Sequence, residues 1–249
     1  IGSGLAGPLL AILLAKRGYS VDLFEKRADL RLERVPAGRS INLALSHRGI
    51  EALKSASVFE MVEPLLIPMK GRMIHQKNGE LDFQPYSMNA EEYINSVSRS
   101  ELNKILITAA EDTGKVNIHF SHALSSIQDN QLEFENSHKV EIENEIIGAD
   151  GSGSVIRKYI DSNCDLPSTA KPLGHAYKEL NIAPGKNGDF QINANSLHIW
   201  PRGQFMLIGL PNTDKSFTCT LFMPNEGAVS FESLKTEADV VDFFNTHFS

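Results

Sequence analysis

What this sequence lacks narrows it quickly. Nowhere does it hold the roughly 18 consecutive apolar residues that a membrane-spanning helix requires. Even the most apolar stretch, near the start, is interrupted by Lys16, Arg17, Asp22 and Glu25. Positive charge is short as well: 24 Lys and Arg stand against 31 Asp and Glu, a net charge of −7. No basic stripe is left to neutralise a phosphate backbone, so nucleic acid is not an expected partner. Only two cysteines occur, Cys164 and Cys219. Two thiols cannot build a zinc cluster, and in a chain of 249 residues they read as buried thiols of a reducing compartment, not as a disulfide scaffold. Internal repeats and low-complexity tracts are absent too. What is left is an ordinary globular chain of one large or two small domains, expected to be soluble and cytoplasmic.

Its most informative stretch is the first. Ile1-Gly2-Ser3-Gly4-Leu5-Ala6-Gly7 has the spacing GxGxxG, and Leu9, Leu10, Leu13 and Leu14 then recur at helical spacing until Gly18 ends the pattern. Val21 to Glu25 alternates like a strand and ends in an acid, 18 residues beyond Gly7. The unit reads as glycine turn, helix, strand, the start of a right-handed βαβ fold whose leading strand is expected just before Ile1. A cleavable targeting segment before that point stays open. The chemistry needs these residue types. Gly2 permits a tight turn, Gly4 lets a pyrophosphate approach the backbone, Gly7 lets helix and strand pack closely, and unpaired helix N–H groups face the phosphate. Glu25 suits the two hydroxyls of an adenosine ribose, which favours FAD or NAD over NADP at this position, although Lys26 and Arg27 keep NADP open.

A second glycine turn at Gly148-Ala149-Asp150-Gly151 reads as a strand leading into a helix over 152–160, with Asp150 suited to a ribose or a nucleotide-bound water and Arg157 to pairing with Asp150 or bracing the helix. Between these motifs the pattern predicts a short strand over 41–45 and a weaker helix over 49–59. A β-hairpin follows over 71–86, turned at Asn78-Gly79. A helix over 99–112 comes next, opened by Ser98 and Glu101 and burying Leu102, Ile105, Leu106 and Ala109. Several short strands over 116–147 and antiparallel strands over 176–223 complete it. His75, His119 and His198 show no metal-ligand spacing and read as core or edge residues; no metal site and no Ser-His-Asp set emerges. The expected organisation is a Rossmann-like α/β nucleotide domain, residues 1–71 and 99–171, with a β-rich second domain inserted as residues 72–98 and 172–249.

Several segments together carry a resemblance: IGSGLAG, the GADGxxSxxR stretch at 148–157, GRSINLAL at 38–45, SVSRSELN at 96–103, HAYKEL at 175–180, and HIWPR with SFTCTLFMP in 198–224. The chain resembles the FAD-dependent aromatic hydroxylases, single-component flavoprotein monooxygenases of glutathione-reductase-like fold, and within them the kynurenine 3-monooxygenases. That resemblance implies bound FAD, NADPH as co-substrate, and hydroxylation of L-kynurenine by O2. The flavin carries the chemistry and no side chain of this segment is expected to be catalytic. It further implies Arg72 as the holder of the substrate carboxylate and Tyr86 as a substrate contact. Cofactor contacts are implied at Gly2, Gly4, Ala6, Gly7, Glu25, Lys26, Arg27, Arg39, Ala44, Arg99, Leu124, Asp150 and Gly151. The family's third flavin motif and its later substrate residues are expected beyond Ser249, so this segment alone is not expected to turn over. Membrane contact, known in eukaryotic relatives at the mitochondrial outer membrane, is expected only through a C-terminal segment outside this sequence. The residues themselves leave open a flavin hydroxylase for another anionic aromatic, an NAD-dependent dehydrogenase, and a non-catalytic flavin binder.

Overall fold

The computed structural model describes residues 1–32, 41–164 and 168–248. In chain order its elements are α1 (Ala6–Lys16), β1 (Val21–Phe24), β2 (Asn42–Leu45), α2 (His47–Ser55) and α3 (Phe59–Val62), then β3 (Ile67–Met69), β4 (Gly71–His75), β5 (Leu81–Pro85), β6 (Ile94–Ser98) and α4 (Arg99–Asp112). The remainder comprises β7 (Val116–His119), β8 (Leu124–Gln128), β9 (Gln131–Phe134), β10 (Lys139–Glu141), α5 (Val155–Asn163), β11 (His175–Ile182), β12 (Ser196–Arg202), β13 (Phe205–Pro211), β14 (Phe217–Pro224) and α6 (Glu237–Phe248). The chain divides into two compact units: Ile1–Val35, Ile50–Pro64 and Arg99–Ala170 form one, and Pro36–Gly49, Leu65–Ser98 and Lys171–Ser249 the other. Residues 41–49 and 65–71 therefore group with the second unit, not with the nucleotide domain as the sequence pattern suggests. The reason is strand pairing: β2 and β3 both hydrogen-bond to β6.

In the first unit, α1 ends as the glycine demands. Gly18 adopts a φ of 97°, its N–H donates to the Ala15 carbonyl and the Tyr19 N–H to that of Leu14, the paired bonds that close a helix at a left-handed glycine. The returning strand β1 runs parallel to β7, Val21 opposite Val116 through Phe24 opposite His119. Behind it, β8, β9 and β10 make an antiparallel sheet, and Phe24, Leu124, Leu132, Phe134 and Ile156 share one apolar cluster. Helix α4 has the expected bounds, but its buried side is Leu102, Asn103, Leu106, Ile107 and Ala110. Ile105 and Ala109 are only partly covered; the face is rotated by about one residue, and it includes an amide that apolar periodicity cannot see. Residues 147–149 lie alongside the start of the chain, the Ile1 amine donating to the Ile147 carbonyl at 2.8 Å and the Ala149 N–H to the Ile1 carbonyl at 2.7 Å; the expected helix begins at Val155 with Ser154 as its cap, the Ser154 Oγ accepting from the Arg157 N–H at 2.9 Å.

The second unit is built on a six-stranded sheet in the order β11-β14-β13-β12-β4-β5. The hairpin β4–β5 is present as the Asn-Gly turn implies, but β12 joins it in parallel, Ser196 opposite Gly71, so the sheet is mixed where the pattern reads antiparallel throughout. One face packs Phe205, Leu207, Phe217, Leu221 and Met223 against Phe243 of α6, a helix that the sequence reading did not place. Arg202 holds the end of that helix: its Nε donates to the His247 carbonyl, its Nη1 to the His75 carbonyl at 2.9 Å, a cation at the negative end of a helix dipole. Cys219 is buried in this core, its thiol pushed up to about 12 by burial, whereas Cys164 is exposed, contrary to the reading of both as buried.

His75 and His198, which the sequence left as unrelated residues, meet across β4 and β12 at 2.7 Å between Nε2 and Nδ1. Because the His198 Nε2 donates to the Asn193 carbonyl, its Nδ1 must accept, and the His75 Nε2 must carry a proton. The His75 ring stacks on Trp200 with centroids 4.0 Å apart. Burial first, then the neighbouring His198 and Arg202, lower the His75 pKa to about 4, so the native state binds its proton more weakly than the unfolded chain does. Stability is then complete above the ordinary histidine range, near pH 6.5, and falls as the pH drops from there towards 4. Urea midpoints measured across that window are expected to decline, and the decline should be shallower for His75→Phe, which keeps the ring stack and removes the titrating group.

Candidate functional site

The glycine motif lies in the first unit. The Gly2 N–H donates to the Phe24 carbonyl at 2.8 Å, and the Ala149 N–H donates to the Ile1 carbonyl at 2.7 Å, so the chain threads between the end of β1 and the second glycine turn. The two motifs, well over a hundred residues apart in sequence, are thereby side by side. A Cβ on Gly2, whose φ is 100°, would lie 2.5 Å from the Ala149 carbonyl oxygen; one on Gly7 would lie 2.0 Å from the Gly2 oxygen. Both positions are closed to any side chain. Gly4 is different: a Cβ there meets nothing within 4 Å, so its glycine is not required by packing within the protein. Helix α1 starts just beyond it with no side-chain cap and no acidic residue in its first turn, leaving N–H groups free for an anion. Ala6 is exposed on that first turn.

Glu25 follows directly on β1 and is only 5% exposed. Its Oε2 accepts the Ser3 N–H at 2.8 Å, and its Oε1 accepts the Arg27 N–H at 3.0 Å and the Arg27 Nε–H at 2.8 Å. Burial works to raise its pKa, but these hydrogen bonds from Arg27 and Ser3 outweigh it and hold the carboxyl below its usual range. The acid is therefore ionised and aimed along the glycine loop. Lys26 and Arg27 are exposed beside it. Asp150 does not pair with Arg157; it accepts from the Val155 and Ile156 N–H groups at 2.8 and 3.3 Å, and although burial opposes it, the Ser154 side chain first, then these backbone N–H groups, hold its carboxyl below the usual range. Arg157 instead reaches the Ser152 carbonyl. Gly151, exposed and at φ 83°, makes the turn between.

A residue that the sequence reading passed over completes this corner. Asn103 of α4 donates from Nδ2 to the Ser3 carbonyl at 3.1 Å, and Arg99, exposed at the start of α4, lies one helical turn earlier on the same side. The signal for Asn103 was present, an amide among apolar residues of a helix, but only contact with the loop gives it meaning. The Leu124 side chain is 9% exposed and belongs to the apolar cluster behind the sheet, so its side chain is core. In the second unit, Ala44 is exposed on β2. Arg72 on β4 and Tyr86 just after β5 face one another, the guanidinium carbon 5.1 Å from the ring centroid. Arg72 is exposed and makes no ion pair among the described residues. The Tyr86 hydroxyl is closed off and has no hydrogen-bond partner; burial raises its pKa, against the pull of Arg72. Arg39 lies outside the described residues.

Residues 1–184 match a family described as FAD binding domain. The chain belongs to that family. At 46% identity it aligns over its whole length with 55% of the "Kynurenine 3-monooxygenase" of Myxococcus xanthus. With 53% of the protein of that name from Sus scrofa it shares 43% identity, again over the whole chain. It thus spans about half the length of the curated relatives it matches. Among solved structures, the tetrameric form of 2-methyl-3-hydroxypyridine-5-carboxylic acid oxygenase superposes with a TM-score of 0.76 at 18% identity, over 98% of this chain and 62% of that one. The architecture is that of the FAD-binding aromatic hydroxylase fold, and the cofactor is FAD. The residues of this FAD-binding domain fit such a dinucleotide: an open approach over Gly4, an uncapped helix start for the pyrophosphate, and an ionised acid at the end of β1. Among the described residues, no group of three His, Cys, Asp or Glu could hold a metal ion, and no helix is long and apolar enough to cross a membrane.

Gly4 and Gly7 make a controlled pair for testing the cradle. Gly4→Ala is expected to fold with an unchanged melting temperature and to bind FAD at least about tenfold more weakly, because its methyl occupies only the ligand's approach. Gly7→Ala should instead lose the fold itself, measured as a collapsed melting temperature without FAD.

Proposed function

We propose that this domain belongs to an enzyme that hydroxylates L-kynurenine to 3-hydroxykynurenine with NADPH and O2, a step in tryptophan breakdown. The observation that carries the reading is the 46% identity to a curated kynurenine 3-monooxygenase over the entire chain, together with an exposed arginine and a tyrosine in contact at the positions where the family resemblance calls for them. The first unit then holds the dinucleotide and the second supplies the substrate's contacts. Bound FAD, once reduced by NADPH, supplies the oxygen-transfer chemistry.

The rest of the work falls to the chain's own residues. Arg72 has no carboxylate of its own, and its planar fork suits two parallel hydrogen bonds to the carboxylate of an amino acid. Tyr86 lies against that guanidinium and keeps it in place. Gly2, Gly4, Ala6 and Gly7 shape the backbone around the pyrophosphate. Glu25, with Lys26 and Arg27 beside it, takes the ribose, and Asp150 and Gly151 border the same loop. Arg99 reaches the flavin side, Leu124 serves through its backbone, and Ala44 and Arg39 belong to the remaining flavin contacts. The partners of the protein are L-kynurenine and O2, and its compartment is the cytoplasm.

The test is made on the intact protein. Arg72→Ala is expected to raise the dissociation constant for kynurenine about 30-fold or more, the value of a lost charge-assisted pair, while flavin content stays at the wild-type level. Acceleration of NADPH oxidation by kynurenine, but not by an aromatic acid lacking the amine, would support the substrate. Equal stimulation by both compounds, or unchanged kynurenine affinity in Arg72→Ala, would refute it.

A further inference from the structure

Two buried polar atoms of the first unit have no partner, and both belong to one contact. Asn103 is 7% exposed and Ser3 fully buried. The Asn103 Nδ2 donates to the Ser3 carbonyl at 3.1 Å, yet the Asn103 Oδ1 and the Ser3 Oγ make no hydrogen bond. A buried amide oxygen without a donor carries its full desolvation penalty, so this amide is a poor choice for stability alone. An apolar residue of the same size would fit the surrounding face of Leu102, Leu106, Ile107 and Ala110 without that penalty, at the cost of leaving the buried Ser3 carbonyl unpartnered instead. What the amide adds is its N–H, and the N–H goes to the glycine loop.

The consequence follows from peptide planarity. No cis bond occurs among the described residues, so within the Ser3–Gly4 peptide the C=O and the N–H point in opposite directions. Holding the Ser3 oxygen towards α4 therefore turns the Gly4 N–H away from α4, at the one glycine of the motif where added atoms meet nothing within 4 Å. The preceding peptide is held as well, because the Ser3 N–H donates to Glu25 Oε2 at 2.8 Å. The loop is thus gripped from two sides, by an acid at the end of β1 and by an amide on α4.

We infer that Asn103 is a positioning residue of the dinucleotide site: its amide N–H holds the Ser3 carbonyl, which fixes the Ser3–Gly4 peptide in the orientation that presents the Gly4 N–H to a pyrophosphate oxygen. Asn103 acts through the loop and does not itself touch the reacting atoms. The inference rests on the assignment of FAD to this domain, and the experiment separates the two. In the intact protein stripped of flavin, FAD affinity is measured by fluorescence quenching and the melting temperature is recorded without FAD. Asn103→Leu keeps the volume and removes both the donor and the orphan oxygen. Asn103→Asp keeps the shape and sets a carboxylate oxygen against the Ser3 carbonyl. Both are expected to weaken FAD binding about tenfold or more, with the Asp variant the weaker binder, while the ligand-free melting temperature of Asn103→Leu stays close to that of wild type, one orphaned oxygen being exchanged for another. FAD affinity within twofold of wild type in Asn103→Leu, or a loss of affinity accompanied by an equally marked fall in the ligand-free melting temperature, overturns the role. A wild-type protein that fails to take up FAD overturns the family-based assignment along with it.

Discussion

A buried carboxylate accepting a backbone N–H from a glycine loop is the constraint on which the nucleotide unit depends. Glu25 could not stay charged at 5% exposure without donors, because a desolvated anion costs more than folding can spare. It finds three of them, on Ser3 and Arg27. Satisfying the acid fixes the path of the loop, and the path of the loop leaves room for glycine alone at positions 2 and 7. The same bonds keep the carboxyl ionised beside the glycine loop.

The sheet unit meets a related difficulty with neutral groups. His198 is 1% exposed and cannot be charged there without great cost, so its two nitrogens are spent on a carbonyl and on a second imidazole. Asn42 and Ser96 likewise converge on the Pro211 carbonyl, at 2.8 Å each, which ties the small β2-β6-β3 sheet to the end of β13. In such a core, hydrogen bonds between side chains set register where apolar packing would tolerate a slip. Arg202 serves the same end for α6 by gripping the His247 carbonyl.

Legibility from sequence followed the range of each interaction. Local features were readable: the bounds of α4, the Asn-Gly hairpin, the helix stop at Gly18 and the first glycine motif all depend on residues within a few positions of each other. Long-range pairings were not. The parallel joining of β12 to β4, the exposure of Cys164 against the burial of Cys219, and the rotation of the α4 face towards Asn103 are decided by distant strands and helices.

Taken alone, the order of amino acids determined that a dinucleotide-type loop, its acid and a β-rich segment exist in this chain, because glycine spacing, strand alternation and turn chemistry are written locally. Only the tertiary structure decided that Ser3 is held between Glu25 and Asn103, that the two glycine turns adjoin, and that Arg72 rests on Tyr86. Those contacts join residues far apart in sequence, and their energies come from burial and hydrogen-bond geometry, which exist only after the chain has closed on itself.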